Sequence, residues 1–373
     1  MTDTPSGPRL RYAIVGVGGI IAPNHIRALA AIPEAELVAV ADIDPARGEP
    51  RAAEIGCAYY RDHHVLLADV RPDVVVITTP HPSHAAIARD SFAAGAHVLV
   101  EKPIAVQVSE ADAMIQAADG AGRLLAVSFQ QRFRPVIEQA RALVDSDTIG
   151  PLVRALCVEP WYRPAVYYRS ARWRGTWQGE GGGVLLNQAP HSLDLLCYLA
   201  GTPRRVWGWT RTRVHAIETE DTAQAMLEFD NGAPGYLTMS TAETGLQQRL
   251  QVVGENGAFE IIGDTLTVYR WQPGMREHMA TATGMFSQPG ATTETLHLPG
   301  DGGGHLAVHR DLYRAITEGG RPRTDGREAL KSLELANAIT LSSLSDQAVT
   351  LPIDRAAYAA LLNDLRAGQR RLA

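Results

Sequence analysis

The first third of the chain alternates short, almost continuous apolar segments with segments of helical periodicity. The apolar segments predict strands at Arg11–Val17, Glu36–Ala41, Val74–Thr79, Val98–Val100 and Leu124–Phe129. Strands that are apolar throughout are typical of a parallel sheet covered by helices on both faces. The alternation therefore predicts an α/β domain built on a doubly wound parallel sheet.

The pattern changes after about residue 130, where polar turns such as Asp230-Asn231-Gly232 predict antiparallel hairpins. The predicted strands are Leu152–Val158, Arg205–Arg213, Thr222–Phe229, Gly235–Thr241, Arg249–Val253, Ala258–Ile262 and Thr265–Tyr269. Helices are predicted at Pro190–Ala200, His305–Glu318 and Arg327–Ser345, a long irregular loop at 272–304, and a terminal helix at 354–371 that could pack back on the first domain. We expect a dinucleotide-binding domain over residues 1–130, and over 131–373 an α+β domain with a large, mostly antiparallel open sheet.

Composition excludes several classes of protein. The chain has 373 residues, a net charge of -6 and 45% hydrophobic residues, which indicates a globular protein of two domains. No apolar run approaches the ~18 residues of a membrane span, no apolar leader is visible, and no basic stripe favours nucleic acid. Cys57, Cys157 and Cys197 lie far apart, as expected for reduced thiols of a cytoplasmic protein.

A glycine-rich turn follows the first predicted strand in YAIVGVGGIIAPNH. In a Rossmann unit Gly16 would make the turn and Gly18 would let the backbone approach a pyrophosphate at the helix N-terminus. Ile21 occupies the third glycine position of that motif, which departs from the pattern; Ala22 would take that role if the turn carried one extra residue. Asp42, at the end of the second strand, would bind ribose hydroxyls and repel a 2′-phosphate, which favours NAD over NADP. The alternative is a turn that binds nothing, with Asp42 as a helix cap.

The remaining cofactor contacts are expected at strand ends, where ligands bind to doubly wound sheets. The full set is Gly16, Gly18, Gly19, Ile20, Asp42, Thr79, Pro80, His84, Glu101 and Lys102. His84 could equally be a capping or surface residue.

Lys102 stands in VLVEKPIA, directly after the fourth predicted strand. The chain contains only one other lysine, Lys331. A lysine can stabilise charge on a reacting oxygen and, unlike arginine, can lower its pKa when buried. The alternative is a solvated lysine paired with Glu101; the rarity of lysine and the strand-end position favour a catalytic role.

His191 lies in GGGVLLNQAPHSLDLL, at the start of a predicted helix. A histidine has a pKa suited to acid–base chemistry on an alcohol. Taken alone, it would more often be structural, but the glycines at 181–183 would permit close approach of a ligand. Asp194 could orient the imidazole or cap the helix.

The segment WYRPAVYYRSARWRGTW is dense in aromatic residues and arginines, which sugar sites use against C–H faces and hydroxyls. Candidate substrate contacts are Trp161, Tyr162, Tyr168, Arg172 and Trp173, with Arg132 reaching the same crevice; the alternative is a core or interface patch. His305 and His309 are weaker candidates. No metal is expected, because the histidines lack ligand spacing with cysteines or carboxylates.

GVGGI, VAVADID, TTPHPSH, VLVEKPIA and GGGVLLNQAPHSLDLL together resemble the Gfo/Idh/MocA oxidoreductases, in order, from Tyr12 to about Ser345. The resemblance implies hydride transfer between a nicotinamide and a sugar, cyclitol or related polyol. It implies that Lys102 lies beside the nicotinamide and the reacting hydroxyl and that His191 is the acid/base. It also implies a homodimer or homotetramer formed through the second domain's sheet.

Many members of the family carry Asp four residues before that histidine, where this chain has Asn187, which cannot relay a proton. We therefore take Lys102, His191 and Asn187 as the catalytic set. Two alternatives are a glycosidase that uses NAD transiently and a sensor that binds NAD without chemistry. Retention of both Lys102 and His191 argues against the sensor.

Overall fold

The computed structural model describes residues 7–372 and divides into two compact units. The first unit comprises the chain up to Gln130 together with Gly303–Leu333. The second comprises Gln131–Gly302 and the chain from Glu334 onward. Where the sequence suggested one boundary near residue 130, a segment of the late helices thus returns to the first unit.

The first unit contains a sheet of six parallel strands. These are β1 (Leu10–Val15), β2 (Ala35–Ala41), β3 (Ala58–Tyr60), β4 (Val74–Ile77), β5 (His97–Val100) and β6 (Leu125–Val127). Their order is β3-β2-β1-β4-β5-β6, which is the Rossmann order. The chain reverses direction across the sheet between β1 and β4, and ligands of such sheets bind at the carboxyl ends of the strands at that point. The predicted doubly wound sheet is confirmed.

The helices of both units are α1 (Ala22–Ala30), α2 (Pro45–Ile55), α3 (His63–Val70), α4 (His84–Ala93), α5 (Val108–Gly120), α6 (Pro135–Asp145), α7 (Ala165–Arg169), α8 (Val184–Asn187), α9 (Pro190–Ala200), α10 (Met275–Thr281), α11 (Gly304–Glu318), α12 (Gly326–Ser345) and α13 (Arg355–Arg366). None of those within residues 7–372 has the length and apolar content that crossing a bilayer requires. The helix α13 belongs to the second unit, and its apolar residues Tyr358, Leu361 and Leu362 are buried there.

The second unit contains a nine-stranded sheet. Its strands are β7 (Leu152–Pro160), β8 (Arg205–Arg211), β9 (Thr222–Glu228), β10 (Pro234–Ser240), β11 (Arg249–Gly254), β12 (Gly257–Ile262), β13 (Thr265–Gln272), β14 (Gly290–His297) and β15 (Val349–Thr350). The order is β14-β13-β12-β11-β7-β10-β9-β8-β15, and among the described residues β7–β10 is the only parallel pair of this sheet. The predicted large, mostly antiparallel sheet is confirmed. The prediction of an irregular loop at 272–304 is wrong, because this segment holds α10 and the edge strand β14.

The two faces of this sheet differ in burial. Cross-strand partners share a face, and the row formed by Leu237, Cys157 and Leu250 is buried on the side where α8 and α9 pack. On the opposite face Trp207, Met226 and Tyr236 form a row and are 41%, 55% and 41% exposed. An apolar row of this size left in solvent is typical of an interaction surface.

A buried ion pair fixes α9 within the second unit. The guanidinium of Arg132 donates from Nε to Asp194 Oδ2 at 2.8 Å and from Nη2 to Oδ1 at 2.6 Å. The two side chains are 1% and 0% exposed, and the Arg132 guanidinium also lies 4.4 Å from the centre of the Tyr198 ring. Removing one partner of such a pair leaves a buried charge and typically costs about 3–5 kcal/mol.

A cluster of three histidines and one glutamate lies in the first unit; we call it the histidine–glutamate cluster. His25 Nε2 is 2.9 Å from Glu101 Oε1, and His25 Nδ1 is 3.0 Å from His309 Nε2. His305 Nε2 is 3.4 Å from the same Glu101 oxygen. The cluster connects α1, the end of β5 and the start of α11.

The hydrogen bonds determine the protonation states of the cluster. Burial alone would raise the pKa of Glu101, but the hydrogen bond from His25 and the nearby His305 ring lower it well below its usual range. Burial lowers the pKa of both His25 and His309. Neutral His25 then donates from Nε2 to ionised Glu101 and accepts at Nδ1 from His309 Nε2–H. The Nδ1 atom of His309 is buried and has no hydrogen-bond partner among the described residues.

We predict that this cluster makes the protein sensitive to acid. Unfolded histidines take up protons below about pH 6.5, whereas folded His25 and His309 do so only at lower pH, so stability falls as the pH drops below that value. Glu101 continues the loss below about pH 4.5, since its folded pKa is depressed. His309→Asn should reduce the slope of the unfolding free energy between pH 6.5 and about 5 by up to ~1.4 kcal/mol per pH unit.

The measurement is urea unfolding at a series of pH values. His297→Asn is the control, because His297 is exposed at the end of β14 and lies outside the cluster. Equal slopes for His309→Asn and the unmodified protein would contradict the proposed protonation states.

Candidate active site

The glycine-rich turn after β1 has no room for side chains. Gly16 has a φ of +93°, and a Cβ added there would lie 2.8 Å from the backbone nitrogen of Thr79. A Cβ at Gly18 would lie 2.9 Å from Asp42 Oδ2 and 2.7 Å from Arg47 Cβ. Gly18 N–H donates to that Asp42 oxygen at 2.8 Å. The turn is therefore a bare backbone cradle at the start of α1, with a carboxylate beside it.

These residues fit a dinucleotide. The cradle leaves a pyrophosphate free to approach the N-terminal turn of α1, where Ile20 is 84% exposed. Asp42 stands where a ribose hydroxyl can donate to it. Arg47, which the sequence reasoning missed, lies against Gly18 beside Asp42 and offers the positive charge that a 2′-phosphate would require.

The end of β4 is fixed by a buried histidine. His84 is completely buried; its Nε2 lies 2.9 Å from the carbonyl oxygen of Thr79, and its Nδ1 lies 3.0 Å from that of Pro103. Burial lowers the pKa of His84. Both ring nitrogens thus contact the backbone, and the residue positions Thr79, Pro80 and the segment after Lys102.

Lys102 follows β5 and is partly buried. Its backbone N–H donates to Glu101 Oε2 at 3.2 Å, while the other carboxylate oxygen, Oε1, accepts from His25 Nε2. Sequence reasoning selected Glu101 and Lys102 but missed His25, although it stands in the first turns of α1, directly after the glycine-rich turn. One side-chain nitrogen or carboxylate oxygen from each of His25, Glu101 and His305 lies within 4.8 Å of the other two. The spacing of these residues in the sequence did not predict that they lie together. The 2.9 Å contact between His25 and Glu101 is a hydrogen-bond distance.

The glycines before His191 serve the packing of the chain itself. A Cβ at Gly183 would lie 1.9 Å from the carbonyl oxygen of Glu220, and one at Gly182 would lie 2.9 Å from Leu186 Cγ. Glu220 Oε1 accepts from the backbone N–H groups of Gly183 and Leu185, which caps α8, and burial raises the pKa of this carboxyl to about 7. The interpretation that Gly183 makes room for a ligand is therefore wrong, since the Glu220 backbone occupies that space.

His191 lies in the first turn of α9 and is 6% exposed. Asn187 ends α8 four residues earlier. Its Nδ2 donates to the Tyr167 hydroxyl at 3.1 Å and to Glu180 Oε1. These two acceptors fix the orientation of the amide, and Tyr167 and Glu180 join the site residues that sequence reasoning missed.

The ion pair described above involves two residues to which the sequence analysis assigned roles. Arg132 was expected to reach the substrate, but its guanidinium is 1% exposed and donates to Asp194. Asp194 was expected to orient His191 or cap α9; both of its oxygens accept from Arg132, and the orienting role stays a prediction. The pair stabilises the second unit.

The aromatic segment is partly structural. The Tyr168 hydroxyl contacts Thr241 Oγ1 at 2.8 Å, and burial raises the pKa of Tyr168 to about 12. Tyr162 and Arg172 are exposed, and Trp161 and Trp173 are partly buried. The guanidinium of Arg163 lies over Trp161 and that of Arg174 over Trp173, at 5.3 and 4.5 Å from the ring centres. Neither arginine was selected from the sequence.

Comparison with known proteins agrees with this architecture. Residues 10–129 match the family model of the oxidoreductase family with an NAD-binding Rossmann fold, and residues 137–260 match the GFO/IDH/MocA C-terminal domain. D-apiose dehydrogenase of Paraburkholderia graminis is 28% identical over 93% of this chain and 91% of its own. The scyllo-inositol 2-dehydrogenase (NAD(+)) of Bacillus subtilis is 27% identical over 68% of this chain and 74% of its own.

A solved structure is also similar over nearly the whole chain. The WlbA dehydrogenase from Chromobacterium violaceum, in complex with NADH and UDP-GlcNAcA, superposes with a TM-score of 0.82 and 31% identity. The match covers 95% of this chain and 100% of that one. The predictions of the family, of an NAD-binding Rossmann domain and of a nicotinamide-dependent dehydrogenase are confirmed at this level. The chain belongs to the GFO/IDH/MocA family of oxidoreductases.

Proposed function

We propose that the protein is an NAD-dependent dehydrogenase that oxidises a secondary alcohol of a sugar, glycoside or cyclitol. The observation that carries this proposal is the placement of Lys102. It follows β5 at the carboxyl edge of the sheet, the edge at which the glycine-rich turn and Asp42 also lie. The carboxylate of the preceding residue, Glu101, accepts from His25 and from the Lys102 backbone N–H. The names of the apiose and inositol relatives support a polyol substrate.

In the proposed reaction Lys102 and His191 act at the reacting oxygen. His191 accepts the hydroxyl proton during oxidation and returns it in the reverse direction. Lys102 stabilises the negative charge that develops on that oxygen. The nicotinamide, when bound, supplies the hydride acceptor. Asn187 cannot carry a proton, so we assign it an orienting role; Trp161, Tyr162, Tyr168, Arg172 and Trp173 are proposed to contribute contacts to the sugar.

We predict that Lys102→Ala lowers kcat by about 10²- to 10⁴-fold, because charge on the oxygen is no longer stabilised. Lys331→Ala is the matched control, since it removes the chain's other lysine, which is paired with Glu328 on α12. Both variants should still bind NADH. The measurement is NADH formation with a panel of sugars, glycosides and inositols, alongside NADH fluorescence titration.

Near-normal turnover of Lys102→Ala would rule out its catalytic role. Cleavage of a glycoside without net NADH formation would instead identify the NAD-assisted glycosidase. NADH binding without reaction on any member of the panel would favour the sensor.

We predict that Asp42→Ala reduces the preference for NAD. The substitution removes the carboxylate that repels a 2′-phosphate and leaves Arg47 beside the same turn. The ratio of kcat/KM with NAD to that with NADP should fall by about 10-fold or more. Asp62→Ala, at the N-cap of α3, is a control of equal charge change. An unchanged ratio for Asp42→Ala would place cofactor specificity elsewhere.

We also propose that the exposed face of the nine-stranded sheet forms a homodimer or homotetramer. Met226→Glu introduces a charge at the centre of the Trp207–Met226–Tyr236 row and should shift the protein to a monomer in light scattering after gel filtration. Leu246→Glu is the control, because this side chain is 65% exposed and lies outside the strands. A monomeric unmodified protein at micromolar concentration would contradict the proposal.

A further inference from the structure

The segment Trp161–Gly179 carries an isolated positive charge. It contains four arginines and no acidic residue, in a chain whose net charge is -6. The arginines are Arg163, Arg169, Arg172 and Arg174. A local charge of this sign and density indicates a segment that meets negative charge from outside itself.

The carboxylates of the described chain do not pair with these arginines. Many other arginines form ion pairs, for example Arg134 with Asp264 and Arg249 with Glu260. By contrast, no carboxylate oxygen within residues 7–372 lies within 4.0 Å of the Arg163 or Arg174 guanidinium. Both side chains are partly buried, and the Nε atom of each is buried with no acceptor in the described structure. Leaving charged donors without acceptors is costly unless a ligand supplies them.

Aromatic rings hold the two arginines in place. Their guanidinium carbons lie 4.9 and 4.1 Å from the centre of the same ring, that of Tyr167. Each side chain makes one further hydrogen bond, Arg163 Nη1 to the Tyr162 carbonyl at 3.1 Å and Arg174 Nη1 to the Tyr167 hydroxyl. A guanidinium that contacts rings through its face keeps N–H donors at its edge, and such an edge matches the geometry of carboxylate and phosphate oxygens.

The arginine pair is connected to the helices that carry the catalytic candidates. The Tyr167 hydroxyl also accepts from Asn187 Nδ2 at 3.1 Å and from Gln188 Nε2 at 3.2 Å. Both donors lie at the end of α8, within four residues of His191. All of these residues belong to the second unit. A group bound by the arginines would therefore lie near the part of the unit to which we assign substrate binding.

Two buried carboxyl groups, those of Glu159 and Glu180, flank this segment in the sequence and offset its positive charge only in part. Burial raises the pKa of Glu159 to about 7, against the opposing effects of the Ser192 hydroxyl and the charge of Arg163. Glu180 accepts from Asn187 and from the Gly175 backbone N–H. Neither carboxylate contacts the arginine pair directly, so the guanidinium edges stay available.

We propose that Arg163 and Arg174 bind an oxyanion of the substrate, so that the substrate is a sugar or cyclitol bearing a carboxylate or a phosphate. This inference rests on the proposed dehydrogenase function. An oxyanion that takes no part in the hydride transfer is bound equally in the ground state and the transition state. Loss of the contact should then appear in KM, with kcat little changed.

The test compares D-glucuronate, D-glucose 6-phosphate, UDP-glucose and D-glucose as substrates and as ligands of the NADH-loaded protein in calorimetry. We expect at least one of the three anionic compounds to exceed D-glucose about 10-fold or more in kcat/KM or affinity; which one does so identifies carboxylate or phosphate as the source. Arg163→Met keeps an unbranched apolar side chain without the guanidinium and should lower kcat/KM or affinity for that anion about 10- to 100-fold. Its effect on D-glucose should stay within about threefold.

Arg163→Lys retains the positive charge but lacks the planar, bidentate guanidinium. Its kcat/KM or affinity for the anion should lie between those of the unmodified protein and Arg163→Met, which would show that the loss in the methionine variant is not a folding defect. Arg169→Met is the control, since Arg169 is exposed and makes no described ring contact. Preference for D-glucose, or an equal loss of neutral and anionic ligands in Arg163→Met, would overturn the inference and leave the dehydrogenase intact. Arginine-dependent anion binding without NADH formation on any substrate would overturn the dehydrogenase proposal instead.

Discussion

The carboxylate of Glu101 is the interaction on which the first unit most depends. A single ionised group at the end of β5 accepts from His25 on α1, lies within 3.4 Å of His305 on α11, and receives the backbone N–H of Lys102. A buried carboxylate is tolerated only where donors surround it. The charge that would otherwise destabilise the core thereby positions the lysine to which we assign catalysis.

Close approach of backbone segments sets a second constraint. Gly16 and Gly18 are required because Thr79 and Asp42 occupy the space that a side chain would need. Gly183 is required for the same reason by Glu220, whose carboxylate also caps α8. In both units glycine thus brings a carboxylate next to a helix start. In the first unit that arrangement forms the bare backbone cradle of the glycine-rich turn, and in the second it completes the packing before His191.

The sequence predicted the parts of the fold that bury a regular apolar pattern. The strands β1, β4 and β5 were visible because they are buried on both faces. The strand β14 was missed because almost all its residues are exposed. The helix α2 was missed because its only buried residues, Gly48 and Ala52, are small and form no stripe of large apolar side chains. Lys102 and His191 were selected from local motifs. The partners of Glu101 and Arg132 were not, because His25 and Asp194 are distant from them in sequence and only the fold brings each pair together. A glycine run, likewise, cannot reveal whether a ligand or the chain's own backbone requires it.

The division of the first unit has a consequence for biosynthesis. The segment Gly303–Leu333 supplies His305 and His309 to the cluster, and Asp325 forms a bridge to Ala126 at the edge of the parallel sheet. When the ribosome has completed β6, Glu101 and His25 still lack these partners. The whole nine-stranded sheet except β15 is synthesised before they arrive. The nucleotide-binding unit therefore reaches its final form only after most of the second unit has emerged, so the order of folding cannot follow the order of the domains along the chain.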